Sequence, residues 1–388
     1  MNKSFISLAE ARQKNIKKIY FTWPGLGDNL ALSTAAKRYF EINKEKLLIG
    51  TTIPELFLNT DHCFVTNEVN FNTIDNIKQK LKDFEIEPIF ISASEMKKLD
   101  NGKYITLWSK QHFIATYFSR LGIEGKQNIV PYFVLSDKEK KFGKFRKNQI
   151  AIMTDGLQNY KTYDFENIQK IVNKLYKKYN FVQIGKETDR KLMHCLDMTG
   201  KCSIRETASI LYNSLCFVGG IGGLMHLARA VCCPGVITCS LGESINYACY
   251  QDNKNIYSHK GCNLCGLNLR DPQHQTCLNN YSCIRTVDDN DVYLAINRVL
   301  SSYNRLPVTE VYNVTLKENI ASGLDMYDKH KNIQWCNEAF FKSPVQILKM
   351  EILGFLKFKI FITRQKQEYI KEIKLFNVSI FKFLKKTI

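Results

Sequence analysis

Apolar and polar positions fall into short blocks that predict alternating strands and helices. Ile16 to Phe21 (IKKIYF) has the pattern of a strand, followed by the loop Thr22 to Asp28. From Asn29 to Tyr39 the apolar residues Leu30, Ala31, Ala35 and Tyr39 recur at helical spacing. Leu47 to Ile49, Ile89 to Ile91 and Tyr104 to Leu107 are short apolar runs suited to a parallel sheet. Helical patterns such as Thr73 to Phe84 lie between them, which makes the chain an α/β protein.

A second unit starts at Gln149. Ile150 to Thr154 predicts a strand, Phe165 to Tyr179 a helix, Phe181 to Ile184 a strand and Ser203 to Tyr212 a helix. Ser203 with Glu206 three residues on has capping-box spacing. Then comes FVGGIGGLMHLARAVCCPGVIT: a strand ending at Val218, the glycines Gly219, Gly220, Gly222 and Gly223, a helix over Leu224 to Val231, and a strand over Val236 to Thr238. Backbone amides and a helix N-terminus in this arrangement face an anionic ligand, usually a phosphate. Asp288 to Tyr303 predicts a closing helix.

At 388 residues the chain is too long for one ordinary core. The expected organisation is an N-terminal Rossmann-like domain over 1–136, a linker over 137–148 and a second Rossmann-like domain over 149–305. A closing segment over 306–344 and a tail over 345–388 follow. Asp137 to Lys147 holds six basic and two acidic residues without an apolar period, so it reads either as a solvated linker or as a charged helix face. In parallel sheets of this kind ligands bind at the strand C-termini.

Lys and Arg exceed Asp and Glu by 55 − 37 = 18, which favours phosphorylated substrates, anionic lipid or nucleic acid. No nucleic-acid recognition module is visible, so nucleic acid is not an expected partner. The tail carries ten Lys/Arg against three Glu, with Phe355, Phe358, Phe361, Phe376, Phe381 and Phe383 interleaved. It suits either an anionic membrane surface or a helix packed on the body with a basic outer face. No secretory signal opens the chain and no apolar run is long enough to cross a bilayer. The expected location is the cytoplasm, peripheral on the inner face of a bacterial inner membrane. The thirteen cysteines, several in apolar runs, read as buried thiols in a reducing compartment.

Candidate chemistry sits in the loops. Asp28, after Gly25 and Gly27, is either a helix N-cap or a carboxylate able to take a proton from an acceptor hydroxyl, and the two roles are compatible. His226 is either a structural histidine or a donor to a phosphate or ribose oxygen. Lys161, Lys186 and Glu187 follow the strands of the second unit. On the same sheet edge the lysines would neutralise diphosphate charge and the glutamate would hold ribose hydroxyls. Cys262, Cys265, Cys277 and Cys283 give C-x2-C-x11-C-x5-C, where composition predicts fewer than one cysteine. Four thiolates suit structural zinc or iron, with His259 and His274 as possible substitutes, while free thiols in a loop are the alternative.

Three segments, in order, resemble the family 9 glycosyltransferases, the heptosyltransferases. They are PGLGDNLALSTAAKRY from Pro24, CSIRETASILYNSLCFVGGIGGLMHLARAVCCPGVIT from Cys202, and CNLCGLNLRDPQHQTCLNNYSCIRTVDDNDV from Cys262. The resemblance spans about Ile16 to Leu300. It implies a GT-B fold, two facing Rossmann-like domains, and inverting transfer of heptose from ADP-heptose without a metal in the chemistry. It further implies that Asp28 is the general base and that Lys161 meets the donor phosphates. Gly222, Gly223, Leu224, Met225 and His226 would line the diphosphate turn, and Glu187 would reach the ribose. The acceptor would be a lipopolysaccharide-type or other cell-surface glycan. The cysteine loop is similar to the iron-binding loop of the autotransporter heptosyltransferases, whose acceptor is a protein. One departure stands out: Ile221 takes the place of the family's acidic residue, which leaves a silent nucleotide-sugar-binding protein as an alternative.

Overall fold

The computed structural model describes residues 4–69, 74–98, 104–109, 111–240, 245–256, 281–302, 309–316, 320–321, 345–352, 356–365, 368–375 and 378–386. They belong to two compact units, Met1–Trp335 and Cys336–Ile388.

The first half of the larger unit runs α1 (Leu8–Gln13), β1 (Lys18–Phe21), α2 (Leu26–Asn43), β2 (Leu47–Gly50), β3 (Cys63–Thr66), α3 (Ile74–Lys82) and β4 (Glu87–Phe90). Its four strands are parallel in the order β3-β2-β1-β4. A hairpin, β5 (Ser94–Lys98) and β6 (Tyr104–Ser109), and α4 (Phe113–Arg120) follow, then β7 (Gly125–Asn128). The apolar run at Tyr104, expected in the parallel sheet, pairs antiparallel with β5 instead. An apolar run fixes extended backbone but not the direction of its neighbour.

The segment at 137–148, read as a linker or a charged helix face, contains α5 (Asp137–Phe142), capped by a Ser136–Glu139 box. The second half continues with β8 (Gln149–Ile152), α6 (Phe165–Leu175), β9 (Asn180–Gln183), β10 (Cys195–Asp197), α7 (Ile204–Tyr212), β11 (Cys216–Gly220), α8 (Gly223–Ala230) and β12 (Gly235–Thr238). It closes with α9 (Ile245–Ala248), β13 (Lys254–Ile256), α10 (Ser282–Arg285) and α11 (Asp289–Ser301). Six parallel strands take the order β10-β9-β8-β11-β12-β13. The predicted capping box on α7 is present, with Ser203 accepting from the Glu206 amide and Glu206 accepting from the Ser203 amide. The chain then returns to the first half, where β14 (Val311–Val314) pairs antiparallel with β7 and β15 (Ile320–Ala321) with β6.

Every position of β2, β8, β11 and β12 is buried, which is why these strands read as continuous apolar runs. One core is shared by both halves. It joins Leu30 and Ala31 of α2 and Ile114 and Phe118 of α4 to Ile210 of α7 and Leu227 of α8. A second core lies between α6, α11 and the larger sheet, and a third beneath α1 and α3.

The smaller unit is a four-stranded antiparallel meander: β16 (Val345–Ile352), β17 (Leu356–Gln365), β18 (Glu368–Leu375) and β19 (Val378–Lys386). The helix considered for this tail is therefore replaced by strands. No described helix is long and apolar enough to cross a membrane.

Candidate active site

Chain order places the site. In the smaller sheet the strand order reverses between β1 and β4, and in the larger one between β8 and β11. Loops leaving such a switch point diverge and open a crevice at the strand C-termini. The loop after β1 enters α2 and the loop after β11 enters α8, and the first turns of these helices meet. A Cβ on Gly27 would come within 2.9 Å of His226 Cδ2, and one on Gly223 within 2.8 Å of the Leu26 Cβ. Only missing side chains allow this approach.

Asp28 is not the N-cap of α2. Gly25 is, in extended conformation and without a side-chain cap, and its carbonyl accepts from the Asn29 amide at 3.0 Å. The helix starts earlier than the apolar period shows, so Asp28 falls on its third residue and its carboxylate is drawn sideways. There Oδ1 accepts a hydrogen bond from the Tyr117 hydroxyl at 2.9 Å, and that hydroxyl lies 2.6 Å from Thr22 Oγ1. Burial first, and then the Asp28 charge, holds the Tyr117 hydroxyl well above the usual phenol range, so it remains a donor. The second carboxylate oxygen lies toward Gly25, where a Cβ would sit 2.7 Å from Oδ2. Trp23, in the same loop, donates from Nε1 to Ser92 Oγ at 2.9 Å and meets Phe90 edge to face at 5.1 Å.

His226 lies on the first turn of α8, buried. Its Nδ1 is 2.6 Å from the Tyr250 hydroxyl, and its Cδ2–Nε2 edge faces Gly27. Phe113 of α4 stacks on the imidazole at 5.1 Å and meets Tyr117 at 5.4 Å, so one helix contacts both His226, through Phe113, and Asp28, through Tyr117. His112, the N-cap of α4, is fully buried beside Tyr250, and burial pushes its pKa down to about 3. It stays neutral.

The remaining candidates separate by strand. Lys161 ends a short 3-10 turn at Asn159–Lys161 that presses on the glycine loop: a Cβ on Gly220 would fall 2.3 Å from the Lys161 carbonyl oxygen. Lys161 Nζ also lies 5.4 Å from the Tyr160 ring centroid. Lys186 and Glu187 are exposed in the loop after β9, two strands from β11 and about 10 Å away at the usual strand spacing. Their backbones close a turn, with the Lys186 amide donating to Asp189 and Lys191 donating to the Glu187 carbonyl. Gly222 is extended, and a Cβ there would meet nothing within 4 Å. Leu224 is half-buried, while Met225 and Ile221 are buried in the shared core, so Ile221 offers the ligand no polar group.

Of the four clustered cysteines, Cys283 is buried in the single turn of α10. Cys262, Cys265 and Cys277 lie outside the described residues, as do His259 and His274. Sequence reasoning missed Thr22, Phe113, Tyr117 and Tyr250. The spacing of Phe113 and Tyr117, four apart on one helix face, was the only available signal, and it reads equally as core.

No protein-family model and no curated protein matches this sequence. Solved structures do. The dodecameric iron-containing heptosyltransferase TibC of enterotoxigenic E. coli, in complex with ADP-D-beta-D-heptose, is 16% identical with a TM-score of 0.54, over 74% of this chain and 76% of that one. The family 9 glycosyl transferase of Veillonella parvula is 11% identical with a TM-score of 0.52, over 74% and 97%. The ADP-heptose LPS heptosyltransferase II of E. coli is 12% identical with a TM-score of 0.53, over 74% and 99%. The likeness establishes the architecture: this chain has the GT-B fold of the heptosyltransferases and of a family 9 glycosyltransferase.

Proposed function

We propose that this chain is an inverting glycosyltransferase that moves a sugar, heptose or a relative of it, from a nucleotide diphosphate donor to a cell-surface glycan of the lipopolysaccharide type. The observation that carries this reading is the meeting of α2 and α8, which sets Asp28 and His226 on apposed first turns. Asp28 takes the proton of an acceptor hydroxyl, and that oxygen bonds to the anomeric carbon as the bond to the diphosphate oxygen breaks on the opposite face. The leaving charge is received by the α8 amides, His226 and Lys161. ADP-heptose is the bound donor of one neighbour and appears in the name of another, which supports an ADP-sugar here.

The four-cysteine loop would hold structural iron or zinc. Four sulfurs suit either metal, and a solved neighbour is iron-containing. No catalytic step passes through it, and metal analysis of the full chain tests it. The basic aromatic tail supports peripheral attachment to an anionic leaflet on the cytoplasmic side, testable by sedimentation with phosphatidylglycerol vesicles.

Asp28→Asn is the direct test of the chemistry. It should abolish transfer and leave nucleotide-sugar binding by calorimetry intact; near-normal turnover would overturn the assignment. The buried Ile221 favours a second reading, a silent nucleotide-sugar-binding protein. That reading requires binding without transfer or hydrolysis in the unaltered chain.

A further inference from the structure

Tyr250 belongs to the segment after α9 and is fully buried. Its hydroxyl lies 2.6 Å from His226 Nδ1 and has no other hydrogen-bond partner among the described residues. The two rings meet edge-on at 5.6 Å and 88°, and Phe113 stacks on the imidazole at 5.1 Å and 25°. Tyr250 is itself anchored. Its carbonyl accepts from the Asn253 amide at 3.2 Å and from Asn255 Nδ2 at 3.3 Å. The Arg229 guanidinium lies 5.8 Å from its ring centroid and is ion-paired with Asp252 and Glu310. Gln251, the next residue, donates its amide to Glu310 at 2.8 Å.

A buried phenol must place its proton on an acceptor or leave it unpaired, and the unpaired arrangement is strongly disfavoured. Here the acceptor is His226 Nδ1. Burial, and then the Glu310 charge, keeps the phenol protonated far beyond the neutral range. If Nδ1 carried the imidazole proton instead, it would donate to the phenol oxygen and leave the phenol hydrogen without an acceptor among the described residues. We propose that Tyr250 is a positioning residue that fixes neutral His226 in the Nε2–H tautomer, turning an N–H donor toward the first turn of α2. For the transfer reaction this assigns His226 the part of a neutral donor to a leaving diphosphate oxygen. That consequence rests on the glycosyltransferase reading, whereas the tautomer itself does not.

The test is nitrogen NMR of the full chain labelled at histidine, with the His226 signal assigned by its disappearance in His226→Gln. The expected spectrum of the unaltered protein near neutral pH shows Nδ1 as the unprotonated nitrogen. In Tyr250→Phe, which keeps the ring and removes the hydroxyl, His226 should populate both tautomers and turnover should fall about tenfold. A predominant Nδ1–H form in the unaltered chain, or an unchanged tautomer ratio in Tyr250→Phe, would overturn the proposal whatever the activity. A chain with the expected tautomer that binds no ADP-sugar would sink the glycosyltransferase reading alone.

Discussion

Gly27 packs against the imidazole of His226, so closely that a methyl group on Gly27 would sit 2.9 Å from Cδ2 and 3.5 Å from Nε2. Gly223 repeats the relationship in the other direction against Leu26. The two halves therefore meet at the turns that carry the candidate catalytic groups. The shared core behind them, with Leu30 and Leu227 as members, fixes that meeting. Glycine at these positions answers a need for close approach, with no positive φ involved.

Gly27→Ala should displace His226. Overpacking of this kind costs about 1–3 kcal/mol, and nucleotide affinity should weaken with it. Gly222→Ala is the contrast, since a Cβ there meets nothing within 4 Å and the backbone is extended. Thermal melts and ADP titrations of both variants read the difference. Equal losses would show that the glycine loop, not the helix contact, governs the site.

Tyr117→Phe removes the donor at Asp28 Oδ1 and the partner of Thr22 Oγ1. Loss of these bonds should cost about 1–2 kcal/mol of stability. A donor to a carboxylate favours its ionised form. Without it, the acid limb of kcat/KM should move to higher pH while the plateau falls modestly. A shift to lower pH, or none, would remove Asp28 from the role of base.

The units around Asp28 and His226 were legible because short buried strands leave continuous apolar runs, and because glycines mark each turn into a helix. Ser203 with Glu206 announced its helix start by the same local logic. What failed was non-local. Nothing in Tyr104 to Leu107 tells a parallel neighbour from an antiparallel one, and Cys63–Thr66 is no shorter than Leu47–Gly50 but mixes Phe64 and Val65 with Cys63 and Thr66 and so leaves no continuous aliphatic run. In the tail, the two-residue alternation of Lys357, Phe358, Lys359 and Ile360 is strand-like, but the same basic and aromatic residues also fit a membrane-facing helix. Tyr117 and Tyr250 reach Asp28 and His226 across 89 and 24 residues, and no sequence period carries such pairings.

Arg205 of α7 provides a stability test that leaves the site untouched. Its guanidinium is buried, bonded to Glu139 of α5, and donates to the Glu55 carbonyl at 2.8 Å and the Val134 carbonyl at 2.5 Å. It thus joins α5 and α7 to the first half. The Arg205 hydrogen bond, aided by the Ser136 cap, pulls the Glu139 carboxyl down from 4.5 to about 2. A carboxyl with a lowered folded-state pKa stabilises the fold above its unfolded value and loses that contribution as pH falls through the folded one. The contribution is therefore complete above about pH 4.5 and fades toward pH 2. Glu139→Gln leaves the buried Arg205 without its counter-charge, and because the Glu139 side chain is partly exposed the change should cost about 1–2 kcal/mol near neutral pH. Denaturant melts should show this gap between the native chain and the variant closing as pH falls below 4.5. A gap that stays constant down to the acid limit would mean that the pair contributes through packing and not through charge.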